Sequence, residues 1–125
     1  MTVSMELMMR KENNMEGNKR KIITFCGSTR FRDLFHQLAS EYTKMGWIVL
    51  MPHCYYTNEE RPDLKDLLVD IHRDMINMSD AILVVNKGGY IGQSTKEEIE
   101  FAKGLCKDVK YFELPKIEAN NEKGE

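Results

Sequence analysis

Apolar residues between positions 22 and 114 alternate between short runs and longer stretches with a helical period. The short runs, residues 22–26, 47–51, 81–85 and 109–114, are rich in β-branched and aromatic side chains. Mostly apolar runs of this length are typical of parallel strands that are buried on both faces. In the stretches between them, apolar residues recur three and four positions apart, which predicts three amphipathic helices.

The three predicted helices differ in how clearly their ends are marked. Gly46 ends the first helix, and an S-x-x-E capping box of Ser94 and Glu97 is predicted to begin the third, which runs to about Lys107. The predicted inner face of the first helix is Phe31, Leu34, Phe35, Leu38, Ala39, Tyr42 and Met45. The predicted inner stripe of the second helix is Leu64, Leu67, Leu68, Ile71, Met75 and Met78.

The alternation of strands and helices predicts an α/β fold with a doubly wound, mostly parallel four-stranded sheet. Right-handed crossovers favour the strand order 2-1-3-4, a flavodoxin- or Rossmann-like three-layer sandwich. In that order the chain reverses direction between strands 1 and 3, and ligands bind beyond the carboxyl ends of the strands at such a point. The loops 26–30 and 86–94 leave those ends. We expect one domain at residues 21–115, between a flexible leader at 1–20 and a flexible tail at 116–125.

Composition removes several classes of function. The 125 residues carry a formal net charge of −2, so no basic field for nucleic acid is expected. No run approaches the roughly 20 apolar residues of a membrane span. The first residues lack a secretory pattern, and three widely spaced cysteines fit a reducing compartment, which predicts a cytoplasmic protein. His36, His53 and His72 show no ligand spacing, so neither a metal site nor a cofactor is predicted.

Glu98 is the most informative polar residue in the sequence. On a helical wheel it lies roughly 30° from the centre of the apolar side of the third helix, whereas Glu97 and Glu100 point more than about 120° away. A carboxylate one turn into a helix and facing the core at a ligand-binding edge suits a nucleophile or base. The alternative is a first-turn glutamate that binds exposed amides or a nearby lysine.

Other polar groups accompany Glu98 at the same predicted edge. The turn Gly27, Ser28, Thr29 and Arg30 offers amides, hydroxyls and a guanidinium to a phosphate or sugar, although Ser or Thr also caps helices generally. On the second helix His72 and Asp74 flank the apolar stripe on opposite sides, and either is a candidate to line the site. In the loop after the second strand, His53, Tyr55 and Tyr56 are candidates to stack on a planar base. Asn86, which begins the glycine-rich loop after the third strand, is a candidate to contact the ligand.

A cysteine phosphatase is a competing interpretation of the first loop. Cys26 and Arg32 fit the C-x5-R spacing with which such enzymes wrap amides around a phosphate. Asp33 follows the arginine in place of the usual Ser or Thr and would repel the phosphate. No late Asp-Pro supplies a general acid, so this remains a minor alternative.

Three segments together resemble the nucleoside 2-deoxyribosyltransferase superfamily, which includes the 2′-deoxynucleoside 5′-monophosphate N-glycosidases. They are residues 24–30 (TFCGSTR), 80–85 (DAILVV) and 97–102 (EEIEFA). They are similar to the F-C-G-S-x-R, A-D-V-V-V and E-L-G-x-A segments of that family. The resemblance spans about residues 21–113, in the same order and on the same predicted fold.

The resemblance implies that Glu98 attacks C1′ of a 2-deoxyribosyl unit and expels the base, after which water or a second base resolves the glycosyl-enzyme. It assigns loop 27–30 to the sugar or base, and the turn Gly92, Ser94 and Thr95 to the 5′ end. Related enzymes close their sites with a neighbouring subunit, which implies a homodimer. The expected partner is therefore a small nucleoside or nucleotide.

The sequence departs from the family pattern at two functional positions. Thr24 stands where many members have a tyrosine that orients the nucleophile, so activation of Glu98 is expected from Tyr55, Tyr56 or Tyr90. The position of the family's helix-borne aspartate falls on His72, which leaves the acid role open among His72, Asp74 and Asn86. The sequence thus favours an N-glycosidase or deoxyribosyltransferase; a non-catalytic nucleotide-binding module of the same fold is the alternative.

Overall fold

The computed structural model describes residues 19–56 and 59–115. Four strands form one sheet: β1 (Ile22–Cys26), β2 (Ile48–Leu50), β3 (Ala81–Val84) and β4 (Asp108–Tyr111). Three helices connect them: α1 (Arg32–Lys44), α2 (Lys65–Met78) and α3 (Gln93–Gly104). The predicted leader and tail lie outside the described residues, apart from Lys19 and Arg20.

The sheet is entirely parallel and its strand order is β2-β1-β3-β4, which confirms the predicted α/β topology. Ile23 pairs with Val49 on one side of β1 and with Ala81 on the other. On the far side of β3, Val84 pairs with Tyr111. The first and third strands are therefore neighbours in the middle of the sheet, and the loops that follow them leave from the same edge.

The two faces of the sheet hold separate clusters of buried side chains. Because side chains alternate along a strand, Ile23 and Phe25 pack against α1 through Phe35, with Leu83 of β3 in the same cluster. On the other face Cys26 packs with residues of β3, α2 and α3, namely Ile82, Val84, Ile76, Ile99 and Ala102. This arrangement makes three layers, with α1 on one side and α2 and α3 on the other.

The apolar pattern predicted correctly which side of α1 faces the sheet, but it did not do so for α2. Phe35 is buried, and all the other predicted α1 positions except exposed Met45 pack partly against the core. On α2 the predicted inner positions Leu67, Ile71 and Met78 are exposed, at 52%, 40% and 59%. The helix is rotated so that its buried or half-buried side is Leu68, His72, Met75 and Ile76, followed by Ser79.

The ends of α3 also differ from the prediction. The helix begins at Gln93 with Gly92 as its N-cap and has no side-chain capping bond. The Ser94–Glu97 capping box is therefore wrong: Ser94 lies inside the first turn, and Glu97 accepts a hydrogen bond from Gln93 at 3.3 Å. The helix ends at Gly104, three residues earlier than predicted. In the described part of the chain, no helix has the length and apolarity that a membrane crossing requires.

Candidate functional site

Three side chains from three different elements meet on the α2–α3 side of the sheet. Cys26 ends β1, His72 lies in the middle of α2, and Glu98 lies in the second turn of α3. His72 Nδ1 is 2.9 Å from Glu98 Oε2, and His72 Nε2 is 3.9 Å from Cys26 Sγ. One ligand atom from each residue lies within 4.8 Å of the others, so the group is also able to hold a metal ion.

The hydrogen bonds of His72 define where its protons lie. Its Nε2 is 3.0 Å from the carbonyl oxygen of Phe25, and because a carbonyl only accepts, Nε2 carries a hydrogen. Its Nδ1 faces a carboxylate oxygen of Glu98, so a proton must also lie between these two atoms. The pair therefore shares one proton, held either on the imidazole or on the carboxyl group.

The surroundings of His72 affect its charge in two opposing ways. Burial disfavours the imidazolium, but the hydrogen bond and negative charge of Glu98, together with the Phe25 carbonyl, outweigh it and raise the pKa of His72. The His72 side chain is 10% exposed and that of Glu98 is 22% exposed. The carboxylate is thus in contact with solvent while its partner is enclosed.

The environment of Cys26 does not fit the cysteine-phosphatase alternative. Burial, reinforced by the charge and hydrogen bonding of Glu98, raises the pKa of the Cys26 thiol well above its usual value. Such enzymes need a thiolate that is exposed to substrate. Arg32, the other half of the motif, places its guanidinium 4.6 Å from the centre of the Tyr55 ring.

The loop after β1 is held close to the strand β3. A Cβ added at Gly27 would lie 2.9 Å from the Val85 carbonyl oxygen, so only glycine fits there without a shift. Ser28 caps the short 3-10 turn that follows by accepting a hydrogen bond from the Arg30 amide at 3.2 Å. The exposed Arg30 side chain lies over the Tyr90 ring, 3.9 Å from its centre.

The loop after β3 contains both structural and accessible groups. Asn86, a predicted binding residue, is buried, and its side-chain amide pairs with the backbone of Glu113 through two hydrogen bonds of 2.8 Å. These two bonds join the loop to the segment after β4. At the start of α3, Thr95 is buried and Ser94 is exposed beside half-buried Gly92.

Two further predicted residues are not brought into the cluster. Asp74 is exposed and lies two positions after His72, which places it roughly 200° around α2 from the imidazole. Tyr56 is half exposed and stacks loosely under Arg61, whose guanidinium is 5.6 Å from the ring centre. Thr29 is exposed and follows Ser28 in the same loop.

The structure places His72 against the Glu98 carboxylate. Activation of Glu98 by Tyr55, Tyr56 or Tyr90 stays a prediction. Thr24, at the family's tyrosine position, is buried, and its hydroxyl pairs with that of Ser79 at 2.6 Å. The sequence contained one signal for His72, since it lies at helical spacing from Leu68 and Ile76. Cys26 was missed as a neighbour because spacing along the chain does not show which residues different elements bring together.

Comparison with known proteins adds no assignment to this geometry. No protein-family model matches the chain, and no curated protein sequence matches it.

Proposed function

We propose that this protein is a cytoplasmic enzyme that cleaves the bond between base and sugar in a (deoxy)nucleoside or its 5′-monophosphate, with Glu98 as the nucleophile. The observation that carries the proposal is the 2.9 Å contact between Glu98 and His72 at the carboxyl edge of the two central strands. A partly exposed carboxylate oriented by an enclosed imidazole suits a nucleophile that must meet substrate in a fixed position.

The first step uses the oxygen that His72 does not hold. Oε2 accepts from the imidazole, which leaves Oε1 to attack C1′ of the sugar. The new bond is an ester between Glu98 and C1′, and the broken bond is the one between C1′ and the base nitrogen, whose electron pair leaves with the base. This is the retaining logic of glycosidases that form a covalent intermediate.

His72 is the proposed proton carrier, since Asp74 points away and Asn86 is engaged with Glu113. When the Glu98 carboxylate becomes a neutral ester, the imidazolium loses the charge that stabilised it. Its Nδ1 proton then passes to the departing base, directly or through water. Neutral His72 takes a proton from the water that hydrolyses the ester, which restores both groups. A second base attacking C1′ would give transfer in place of hydrolysis.

The substrate is proposed to lie between the two loops at this edge. Residues 27–30 would contact the sugar or base, and the start of α3, from Gly92 to Thr95, would receive the 5′ end, where amides and the helix dipole favour a phosphate. Arg30, whose guanidinium lies over the Tyr90 ring, adds a positive charge from the opposite loop. The resemblance of residues 24–30, 80–85 and 97–102 to the nucleoside 2-deoxyribosyltransferase superfamily supports the same assignment.

A homodimer is part of the proposal. Leu67, Ile71 and Met78 form an exposed apolar strip on α2, centred roughly 100° around the helix from the side that faces the sheet. A strip of this kind favours association because burying it removes apolar area from water.

The test is incubation with a panel of nucleosides and 5′-monophosphates, with free base measured by chromatography. Base release that depends on Glu98 supports the enzyme. Tight nucleotide binding with no base release from any substrate would favour the alternative, a binding module of the same fold. Neither release nor binding would contradict both.

A further inference from the structure

The geometry points to a zinc-binding site formed by Cys26 Sγ, His72 Nδ1 and Glu98 Oε2, a site distinct in chemistry from the nucleophile proposed above. One ligand atom from each of the three residues lies within 4.8 Å of the others, and His72 Nδ1 is 2.9 Å from Glu98 Oε2. In tetrahedral zinc coordination, bonds of about 2.3 Å to sulfur and 2.0–2.1 Å to nitrogen or oxygen separate the ligand atoms by about 3.3–3.6 Å. To close around the ion, the most distant pair of ligand atoms must approach by up to about 1.2–1.5 Å, and Nδ1 and Oε2 must separate by about 0.4 Å.

The hydrogen bond of His72 to the main chain already matches that of a metal ligand. A histidine that binds a metal through one ring nitrogen usually donates the other N–H to a carbonyl or carboxylate, which fixes the ring. Here Nε2 donates to the Phe25 carbonyl at 3.0 Å, and Nδ1 is directed at the carboxylate. The ion would bind between Nδ1 and Oε2, in place of the proton that these two atoms share.

The ligand set favours zinc over the harder divalent cations. Thiolate and imidazole ligands select Zn²⁺, whereas Mg²⁺ and Ca²⁺ prefer oxygen ligands. The walls are apolar, formed by Ile76, Ile99 and neighbours that also surround the thiol. Binding releases the thiol proton and the shared proton to solvent, so that the ion meets a thiolate, a neutral imidazole and a carboxylate. Three protein ligands leave a fourth position for water, and the Glu98 side chain, which is 22% exposed, is in contact with solvent.

Zinc in this site would occupy the carboxylate of Glu98. If the proposed function holds, Zn²⁺ is consequently an inhibitor of base release, and a chelator restores activity. Metal binding itself is independent of that function, because it is measured without substrate. Failure of the zinc site and failure of the enzyme proposal are thus distinguishable.

The experiment uses the full chain with the two exposed cysteines removed, Cys54→Ser and Cys106→Ser. Cys26 is then the single thiol left in the sequence. Co²⁺ is titrated as a spectroscopic substitute, and Zn²⁺ is titrated in competition with a chromophoric chelator. The expected result is one equivalent of Co²⁺ with a thiolate-to-cobalt charge-transfer band and tetrahedral visible bands, all displaced by one equivalent of Zn²⁺.

Glu98→Gln in the same background tests the carboxylate, and Glu100→Gln, on the exposed side of α3, is the matched control. We expect Glu98→Gln to weaken Zn²⁺ binding roughly tenfold or more, and Glu100→Gln to leave it unchanged. Circular dichroism establishes that each variant is folded. Absence of a thiolate band at one equivalent of Co²⁺ overturns the proposal. Equal Zn²⁺ affinity in the parent and Glu98→Gln overturns it as well.

Discussion

Replacing Glu98 with glutamine separates catalysis from stability more sharply than any other single change in this protein. The amide keeps the shape of the side chain, and its N–H donates to His72 Nδ1 across the contact that is now 2.9 Å long, because a neutral imidazole carries its hydrogen on Nε2, next to the Phe25 carbonyl. It removes the negative charge and the nucleophilic oxygen. Loss of a catalytic nucleophile lowers turnover by roughly 10⁴–10⁶-fold, which corresponds to about 5–8 kcal/mol in the activation barrier.

The expected effect on folding is much smaller. The hydrogen bond changes from a charge-assisted one, worth about 1.5–3 kcal/mol, to a neutral one, worth about 0.5–1.5 kcal/mol. The free energy of unfolding should therefore fall by about 1 kcal/mol, a decrease of about 4–8 °C in the melting temperature of a domain of this size. The two effects differ at least fivefold in free energy, so partial unfolding cannot imitate the loss of the nucleophile.

The assay compares the unmodified protein, Glu98→Gln and Glu100→Gln, with base release measured by chromatography and melting by circular dichroism. Glu100 is exposed on the same helix, and its contact among the described residues is one of 4.0 Å with Lys103, so its replacement controls for loss of one charge. The reasoning is refuted if Glu98→Gln retains more than a tenth of the base release, or if both variants lose it equally.

His72→Asn keeps a hydrogen-bond donor near Glu98 but carries no titrating proton, so base release should fall by about 10²–10⁴-fold. The loss should be much smaller with p-nitrophenyl 2-deoxyriboside, because its leaving group needs no proton. An equal loss on both substrates would argue against His72 as a proton carrier. Calorimetry on the Glu98→Gln protein should show that a 5′-monophosphate binds roughly tenfold to over a hundredfold more tightly than the matched nucleoside, since each charge-assisted bond contributes about 1.5–3 kcal/mol. Equal affinities would exclude a phosphate-binding site at the start of α3. Light scattering at tens of micromolar protein should report a dimer, and Ile71→Lys should convert it to a monomer. The control Val69→Lys, on another exposed side of α2, should leave the dimer intact. A monomeric unmodified protein would contradict the proposed interface.

The sequence predicted the parts of the fold that depend on simple periodicity. Residues 22–26 and 81–84 have no polar interruption apart from Thr24, so their burial in the centre of a parallel sheet follows from composition. The half-buried position of Glu98 followed from its place on the apolar side of α3. Both predictions rest on patterns that a single element carries by itself.

The orientation of α2 was not predictable in the same way, because the helix carries two overlapping stripes. One stripe, which includes Leu67, Ile71 and Met78, is more apolar, but the stripe that includes His72 faces the sheet. The imidazole is satisfied there by the Phe25 carbonyl and by Glu98, two partners from other elements. Hydrophobicity alone favours the wrong side whenever a buried polar residue has such partners.

Asn86 illustrates a different limit. Its position in a glycine-rich loop predicted a contact with ligand, whereas its amide pairs with the backbone 27 residues later. No pattern within the loop indicates that pairing. The capping box failed for a related reason, since the N-cap of α3 is Gly92, two residues before Ser94.

The attachment of Glu113 to the loop after β3 decides where labels should be placed on this protein. Two Asn86 bonds and a third from the Gly88 amide to the Glu113 carboxylate, at 3.1 Å, hold the chain at the carboxyl edge of the sheet as it leaves β4. The described chain enters at residue 19, next to the amino end of β1 and therefore at the opposite edge. A fluorophore or surface-immobilisation handle joined directly after residue 115 would start beside the loops of the candidate site, whereas one joined directly before residue 19 would start at the far edge.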